Sequence, residues 1–224
     1  MLIIRDAQIK AFEQIAVDNY IIELAIHCRA FSPRLCKTLR DDQLQVALRQ
    51  GVQYAEAHGF TQRGPVRFYI DMMILFGSGF DSDPQYPWAT EILARKDDLS
   101  QMDRAEALHA HTQTYLTQVD GADNVHTLKA LADLAALCRH GVTLHPESFE
   151  QDTLRLMAEM HPRKVAETGQ AALRRLIADG TAKGQERYGF RAVRSLGLMV
   201  VLMFAFGHHF DADPLFLWIT QTLS

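Results

Sequence analysis

The sequence predicts an all-α fold, built as a helical bundle. Apolar side chains recur at spacings of three and four residues along almost all of the 224 residues, which is the period of an amphipathic helix. Strand-like alternation of apolar and polar residues is absent, and the pairs Asp120-Gly121 and Asp179-Gly180 both lie between helical patterns. Because glycine and proline interrupt the pattern at intervals, we expect roughly nine to eleven helices.

The first four predicted helices are delimited by residues typical of helix ends. Proline or glycine ends the first three, at Pro33, Gly59 and Gly77. The first helix carries a wide apolar stripe that we expect to face the core: Ile9, Phe12, Ile15, Ala16, Tyr20, Ile21, Leu24 and Cys28. A capping box at Thr38–Asp41 opens the second helix, and the third covers Val66–Phe76. Asp83 as N-cap and Pro84 at the first helical position open a short fourth helix.

The middle of the chain predicts a pair of helices followed by a further one. The first of the pair is mostly polar and is broken at Asp120-Gly121. The second carries an apolar stripe and is closed by Gly141: Val125, Leu128, Leu131, Leu134, Ala135 and Cys138. Pro146 and the pattern Ser148-x-x-Gln151 open the next helix, whose apolar positions extend to Met160.

The second half of the chain repeats much of the first half. When residues 59–93 are aligned with residues 189–223, an offset of 130, 12 of the 35 positions are identical. Chance alone gives roughly two identities at average residue usage. Upstream the alignment continues at an offset of 129, where Pro33-Arg34 matches Pro162-Arg163 and Gly51 matches Gly180.

The repeated unit reads helix, helix, glycine stop, the motif G-x-x-F-D-x-D-P, and a short helix that carries tryptophan. We expect one compact helical domain over 1–224, with the first repeat at about 5–94, a helical connector at 95–141 and the second repeat at about 142–224. In the motif, Asp83 and Asp213 are expected to cap the following helix, and Asp81 and Asp211 to pair with arginine or with loop amides. Trp88 and Trp218 are expected to anchor the short helices against the bundle.

The two copies differ at positions that indicate a partner-binding face. Arg67 and Asp71 of the first copy are replaced by Gly197 and Val201 in the second, so the third helix keeps a polar stripe that should reach solvent or a partner. Acidic residues of the following loops can face a basic partner, or can simply be solvated. The predicted partner-binding residues are Arg63, Arg67, Asp71, Asp81, Asp97 and Asp98.

Composition excludes several functional classes. A formal net charge of −4 provides no electrostatic footprint for nucleic acid. The most apolar run, residues 196–206, is too short to insert across a bilayer, and the N-terminus lacks a signal-peptide pattern. The three cysteines, Cys28, Cys36 and Cys138, are widely spaced, which favours reduced, buried thiols and a cytoplasmic location.

One cluster of ligand-type residues leaves an enzymatic alternative open. His208 and His209 lie close to Asp211 and Asp213, and histidine with carboxylate groups can bind a metal ion. Adjacent residues rarely point at the same ion, however, and the first copy lacks both histidines. Nucleotide-binding and hydrolase motifs are absent, so we predict no catalytic residue, no cofactor and no metal. A metal-dependent enzyme that uses the His208/His209 region is the alternative.

Several motifs of the first 95 residues resemble a family of small helical proteins of proteobacteria, whose genes often lie among type VI secretion spike, adaptor and effector genes. The resemblance is carried by Leu2, Ile4, Gln8, Phe31, Pro33, Val66, Tyr69 to Met73, Gly77, Phe80 to Pro84 and Pro87 to Leu93. It implies a cytoplasmic, non-catalytic chaperone or adaptor for a secreted effector or spike protein. The alternative that it implies is an immunity protein that neutralises a toxin. A homo-oligomer is a third possibility.

Overall fold

The computed structural model describes residues 6–223 and is helical throughout its regular elements, which confirms the predicted all-α fold. The α-helices of this range are α1 (Asp6–Phe31), α2 (Pro33–Cys36), α3 (Asp41–Ala57), α4 (Arg63–Phe76), α5 (Pro87–Ala94), α6 (Gln101–Tyr115), α7 (Val125–His140), α8 (Phe149–Met160), α9 (Pro162–Thr168), α10 (Gln170–Glu186), α11 (Val193–Phe206) and α12 (Leu217–Leu223). They number twelve in the described range rather than nine to eleven, since α2 and α9 are too short to show a period in the sequence. None of them is long and apolar enough to cross a membrane.

The helix bounds recur along the chain at the offsets found in the sequence. Helix α10 begins and ends 129 residues after α3, and α11 begins and ends 130 residues after α4. Helix α12 begins 130 residues after α5. We call α1–α5 the first unit, α8–α12 the second unit, and the segment with α6 and α7 the connector.

Each unit has its own apolar core, and the connector covers parts of both. In the first unit, α1, α3 and α4 enclose buried side chains such as Leu24, Leu48 and Tyr69. In the second unit, α8, α10 and α11 do the same around Met157 and Val200. Helix α6 packs on α4 and α5, whereas α7 packs on α8 and α11.

The two units meet at their G-x-x-F-D-x-D-P motifs through reciprocal contacts. The Oδ2 atom of Asp83 accepts from the backbone N–H of His208 at 2.8 Å, and the Oδ2 atom of Asp213 accepts from that of Ser78 at 2.7 Å. The other carboxylate oxygens accept from N–H groups of their own unit, at Gln85 (2.9 Å) and Leu215 (2.8 Å). These four bonds satisfy backbone donors in the centre of the molecule.

The prediction that Asp83 and Asp213 cap the helices that follow them, the first of these at Pro84, is therefore wrong, and α12 begins only at Leu217. Helix α5 begins at Pro87, with Tyr86 as its N-cap residue, because the Asp83 carboxylate is occupied by the second unit. The predicted capping box at Thr38–Asp41 is also displaced. There the Gln43 side chain accepts from the N–H of Arg40 at 2.9 Å, and α3 begins at Asp41.

Several expected core positions lie at the surface instead. In α1, Ile21, Leu24 and Cys28 are buried but Phe12 and Ile15 are exposed, and the side chain of Ile9 lies outside the described residues. In α7, only Leu134 of the expected inward stripe is buried, so Cys138 is an exposed thiol rather than a buried one. Cys28 and Cys36 are buried as predicted, and burial raises the pKa of Cys28 to about 12.

The two tryptophans have different environments. Trp88 stacks on His111 of α6, with ring centroids 5.2 Å apart, and packs edge-on against Phe76. Trp218 is 55% exposed, so the prediction of an anchor there is wrong. The difference arises because the connector covers α5, while no described element covers the equivalent side of α12.

The first turn of α9 predicts a specific loss of stability in acid. His161 is 5% exposed, and its Nδ1 atom accepts from the backbone N–H of Lys164 at 3.2 Å. Burial, followed by the nearby Lys164 charge, lowers the pKa of His161 to about 4. A histidine whose pKa falls on folding contributes stability that is lost as the pH drops from its unfolded value toward its folded value.

We therefore expect the free energy of unfolding to fall between pH 6.5 and pH 4, with about 2–3 kcal/mol of the loss due to His161. In His161→Asn, the amide oxygen can accept the capping bond in place of the imidazole nitrogen, and it does not titrate. The free energy of unfolding of this variant should therefore depend less on pH over this range. Urea denaturation at a series of pH values measures both proteins, with the exposed-site variant His140→Asn as control. Identical pH profiles for wild type and His161→Asn would contradict this assignment.

Candidate partner-binding surface

The outer face of α1 carries an apolar stripe, interrupted once by Asn19, with no cover among the residues that the structure describes. Its four large side chains are more than half exposed: Phe12 65%, Ile15 55%, Ile22 52% and Ile26 63%. Together with Asn19 they follow the alternating three- and four-residue spacing of a coiled-coil seam. Scattered apolar side chains are common at protein surfaces, but a row with this spacing is typical of an interaction site.

A groove of about 320 Å³ between α1 and α4 runs beside the stripe, and it contains two of the predicted site residues. Arg63 pairs with Glu23 of α1 at 2.7 Å, and its guanidinium lies over the Tyr20 ring at 4.8 Å. Arg67 also lines the groove, and among the side chains that the structure describes, no carboxylate lies within 4.0 Å of its guanidinium. The groove therefore presents a cation without a directly paired carboxylate.

Asp71, the third predicted residue on α4, continues this surface. Its Oδ1 atom lies 2.6 Å from the Nε2 atom of His27 on α1. Burial raises the pKa of the Asp71 carboxyl, although its bond with His27 opposes that shift. Phe31, which is 43% exposed, stacks on the His27 ring with centroids 5.8 Å apart. The sequence thus places polar and aromatic groups side by side along the α1–α4 seam.

The second unit shows what covers the equivalent seam there. The positions that correspond to His27, Phe31, Asp71 and Leu75 are Leu156, Met160, Val201 and Ala205. These apolar residues of α8 and α11 pack with Leu134 and Leu137 of α7. At the equivalent of Arg67, a side chain on Gly197 would meet Leu144, the Cβ lying 2.1 Å from that residue's Cδ1. An amphipathic helix and its following segment therefore cover this seam in the second unit, and the first unit leaves it open.

The remaining predicted residues lie elsewhere. Asp97 and Asp98 are exposed on the turn after α5, and Asp98 lies 3.8 Å from Arg95. This turn adjoins the start of α4, because the side-chain oxygen of Gln101 accepts from the N–H groups of Thr61 and Gln62. The acidic pair is thus close to the N-terminus of α4, at one end of the groove helix.

Asp81 belongs to an internal network rather than to the α1–α4 seam, and its partners are a histidine and a tyrosine instead of the predicted arginine or loop amides. Its Oδ2 atom lies 2.6 Å from His58 Nε2 and accepts from the Tyr69 hydroxyl at 3.0 Å. Burial opposes ionisation, but the bonds with His58 and Tyr69 outweigh it and lower the pKa of Asp81. Its counterpart Asp211 accepts from Lys183 at 2.8 Å, and from Arg187 and Tyr188, which is the predicted pairing with arginine.

Asp81 and Asp211 face a polar cleft of about 520 Å³ between the units, next to His209. The rings of His208 and His209 lie 3.8 Å apart, and the Nδ1 atom of His208 is 3.3 Å from Asp83. Within the described part of the chain, no three His, Cys, Asp or Glu side chains are placed to hold a metal ion. Lys183 and Arg187 of the cleft pair with Asp211, whereas Asp81 pairs with His58, which does not line the cleft.

The sequence contains a signal for the outer face of α1 that the predicted stripe did not use. Ile22 and Ile26 fall outside the stripe assigned to the core, yet they lie in heptad register with Phe12 and Ile15. A helix that carries two apolar stripes can bury only one against its own core. The second stripe is then available to another chain.

Comparison with known protein families, with curated proteins and with solved structures finds nothing that matches this chain. The resemblance to proteins encoded among type VI secretion genes therefore stays a prediction from sequence motifs. The function is inferred from the surface of the chain itself.

Proposed function

We propose that this chain is a non-catalytic, cytoplasmic protein-binding module whose partner docks on the outer face of α1 and in the adjoining α1–α4 groove. The observation that carries the proposal is the row of exposed apolar side chains Phe12, Ile15, Ile22 and Ile26. Covering such a row with another apolar surface removes it from water and stabilises the complex. The row offers no group that would take part in chemistry.

The second unit supports a helix as the docking element. There α7 covers the seam equivalent to the one that α1 and α4 leave open. A partner helix that lies in this α1–α4 groove, as in helix-in-groove recognition, would also reach the neighbouring α1 stripe. The stripe has no counterpart in the second unit, where Gln151 and Arg155 stand at the positions of Ile22 and Ile26. An acidic residue on its flank would pair with Arg67, whose guanidinium lacks a carboxylate partner among the described residues.

The partner proposed from the sequence motifs is a secreted effector or a spike protein, and the role is that of a chaperone or adaptor. A chaperone covers an apolar segment of its client until delivery, which suits an elongated apolar face. The alternative role is an immunity protein that holds a toxin. Deletion of the gene separates the two, because self-intoxication indicates immunity and a loss of effector delivery alone indicates a chaperone.

A second copy of this chain is a second candidate partner, and Asn19 favours it. Asn19 lies in the middle of the heptad-spaced stripe, where a buried asparagine fixes the register of paired helices. Light scattering of the purified chain at micromolar concentration distinguishes self-association from binding of a different protein. Self-association through α1 predicts a dimer, and a different partner predicts a monomer of 25.3 kDa.

We expect the double variant Ile22→Asp with Ile26→Asp to lose its partner while it remains folded. Two carboxylates in the middle of the stripe would have to be desolvated on binding, so retention in affinity purification from the native host should fall at least about tenfold. Exposed sites tolerate substitution within about 0.5 kcal/mol each, so the free energy of unfolding should change little.

Val46→Asp is the matched control for this double variant. Val46 lies on α3 and is 63% exposed, the same exposed fraction as Ile26, but it is not part of the α1 stripe. It should retain the partner fully. Equal retention by the double variant and by Val46→Asp would exclude the α1 face as the binding surface.

A further inference from the structure

A cavity of about 80 Å³ lies where the first unit, the connector and the second unit meet. Most of its wall is apolar or aromatic, with Phe76 from the first unit, Ala130 and Leu131 from the connector, and Met160 and Phe204 from the second unit. Ligand sites of small molecules have this character, an apolar pocket with a few convergent polar groups.

The chief polar group in the cavity is the ammonium of Lys164 on α9, which is 7% exposed. It donates to the carbonyl oxygen of Phe204 at 2.6 Å and to the hydroxyl of Tyr86 at 3.2 Å. An ammonium has three N–H groups, so one remains after these two bonds. No carboxylate among the residues described lies within 4.0 Å of it.

This arrangement leaves a positive charge buried with neutral partners only. Desolvating an ammonium costs several kcal/mol unless a counterion compensates for it. Burial accordingly lowers the pKa of Lys164 to about 8, although the more distant Asp83 and Asp120 oppose the shift. An anion that enters the cavity would supply both the missing charge and an acceptor for the third N–H.

The connector wall of the cavity has an irregular backbone. Residues Leu116–Asp120 form a π-helical turn, and Asp123 and Asn124 adopt positive φ angles of 54° and 56°. Such features cost free energy and concentrate at ligand sites. Here they set Asp120 on the wall, where it accepts from the Thr127 hydroxyl at 2.6 Å.

We propose that this cavity binds a small organic monocarboxylate, with its carboxylate on the ammonium of Lys164 and its short apolar group against Phe76 and Phe204. A cavity of about 150 Å³ holds benzene, so this smaller volume suits a ligand of roughly three to five heavy atoms. The site is separate from the α1 face, and neither proposal depends on the other.

Titration calorimetry with propionate tests the proposal, and propionamide serves as its neutral isostere. Propionate should bind at one site with a Kd on the order of 0.1–1 mM, and propionamide at least about tenfold more weakly. Lys164→Met should weaken propionate binding by a similar factor, and Asp120→Asn should tighten it because a like charge is removed. Absence of binding at about 10 mM propionate, or equal affinity for propionamide, would overturn the proposal.

Lys164 also ties α9 to α11 and to Tyr86, so its replacement can impair folding. Ala130→Leu therefore provides a second test, since it enlarges a side chain of the cavity wall and leaves Lys164 in the chain. Ala136→Leu is its control, the same change on the same helix but outside this cavity. The Ala130→Leu variant should no longer bind propionate, and Ala136→Leu should bind it as the wild type does. Unchanged binding by both variants would refute the site.

Discussion

Alanine at Gly77 or at Gly207 is expected to destabilise the chain by about 3–5 kcal/mol, enough to unfold it in many conditions. Both glycines have a positive φ, 93° and 94°, which an L side chain rarely adopts. A Cβ at Gly77 would lie 2.8 Å from the carbonyl oxygen of Phe206, and one at Gly207 equally close to that of Phe76. The obstacle is backbone of the other unit, so it cannot move without separating the motifs.

Two further glycines separate the two causes. Gly169 has a φ of +79°, but a Cβ there would meet no atom within 4 Å, so Gly169→Ala should show the backbone strain alone, about 1–3 kcal/mol. Gly64 lies in α4 with neither feature, so Gly64→Ala should be neutral or slightly stabilising. Denaturant titrations give all four values. If alanine at Gly77 or Gly207 lowers the free energy of unfolding no more than alanine at Gly169, the close contact between the units is contradicted.

Asp83→Asn should lower the free energy of unfolding by about 2–4 kcal/mol, although it only replaces one carboxylate oxygen by an amide nitrogen. Both oxygens of Asp83 accept, one from the N–H of Gln85 and the other from that of His208 and from the Gln85 side chain. An amide in either orientation replaces one acceptor by a donor and leaves a buried N–H unpaired. Asp213→Asn should behave alike, since its two oxygens accept in the same pattern from Leu215 and Ser78.

The effect of Asp83→Asn should also depend on pH. Burial opposes ionisation of Asp83, but its bonds with His208 and with backbone N–H groups lower its pKa. A carboxyl with a lowered pKa contributes stability above its unfolded pKa, roughly 3.9, and loses it as the pH falls through the folded value. The difference in free energy of unfolding between wild type and Asp83→Asn should therefore become smaller in acid. The free energy of unfolding of the exposed control Asp98→Asn should stay within about 0.5 kcal/mol of the wild-type value at every pH. Equal losses of stability in Asp83→Asn and Asp98→Asn would contradict the role given to Asp83.

Helix content could be predicted from local pattern, because each helix needs only its own period and its own end signals. The stops at Gly59, Gly77 and Gly141 are read from single residues, and all three have positive φ angles. The start of α5 could not be predicted, since Asp83 has two possible sets of donors and the contact with the second unit decides between them. Long-range packing of this kind leaves no local signature.

The candidate surface could be predicted in part. Arg63, Arg67 and Asp71 lie along one open seam, where the differences between the copies had placed a polar stripe. The direction of the α1 stripe could not be predicted, because a helix with apolar residues on two sides does not say which side its core will take. Lys164 gave no signal either, since a lysine in a first helical turn is usually exposed and only tertiary packing buries it.

Protein binding on the outer face of α1 is the central claim, and site-specific photo-crosslinking tests it most directly. Two variants of the chain are expressed in the native host and irradiated. One carries p-benzoylphenylalanine in place of Ile26, and the other carries it in place of Val46. The two positions are equally exposed, so their background reactivity should be the same. We expect one discrete crosslinked species, of defined mass, from Ile26 and not from Val46. The same faint, heterogeneous products from both positions would contradict the claim.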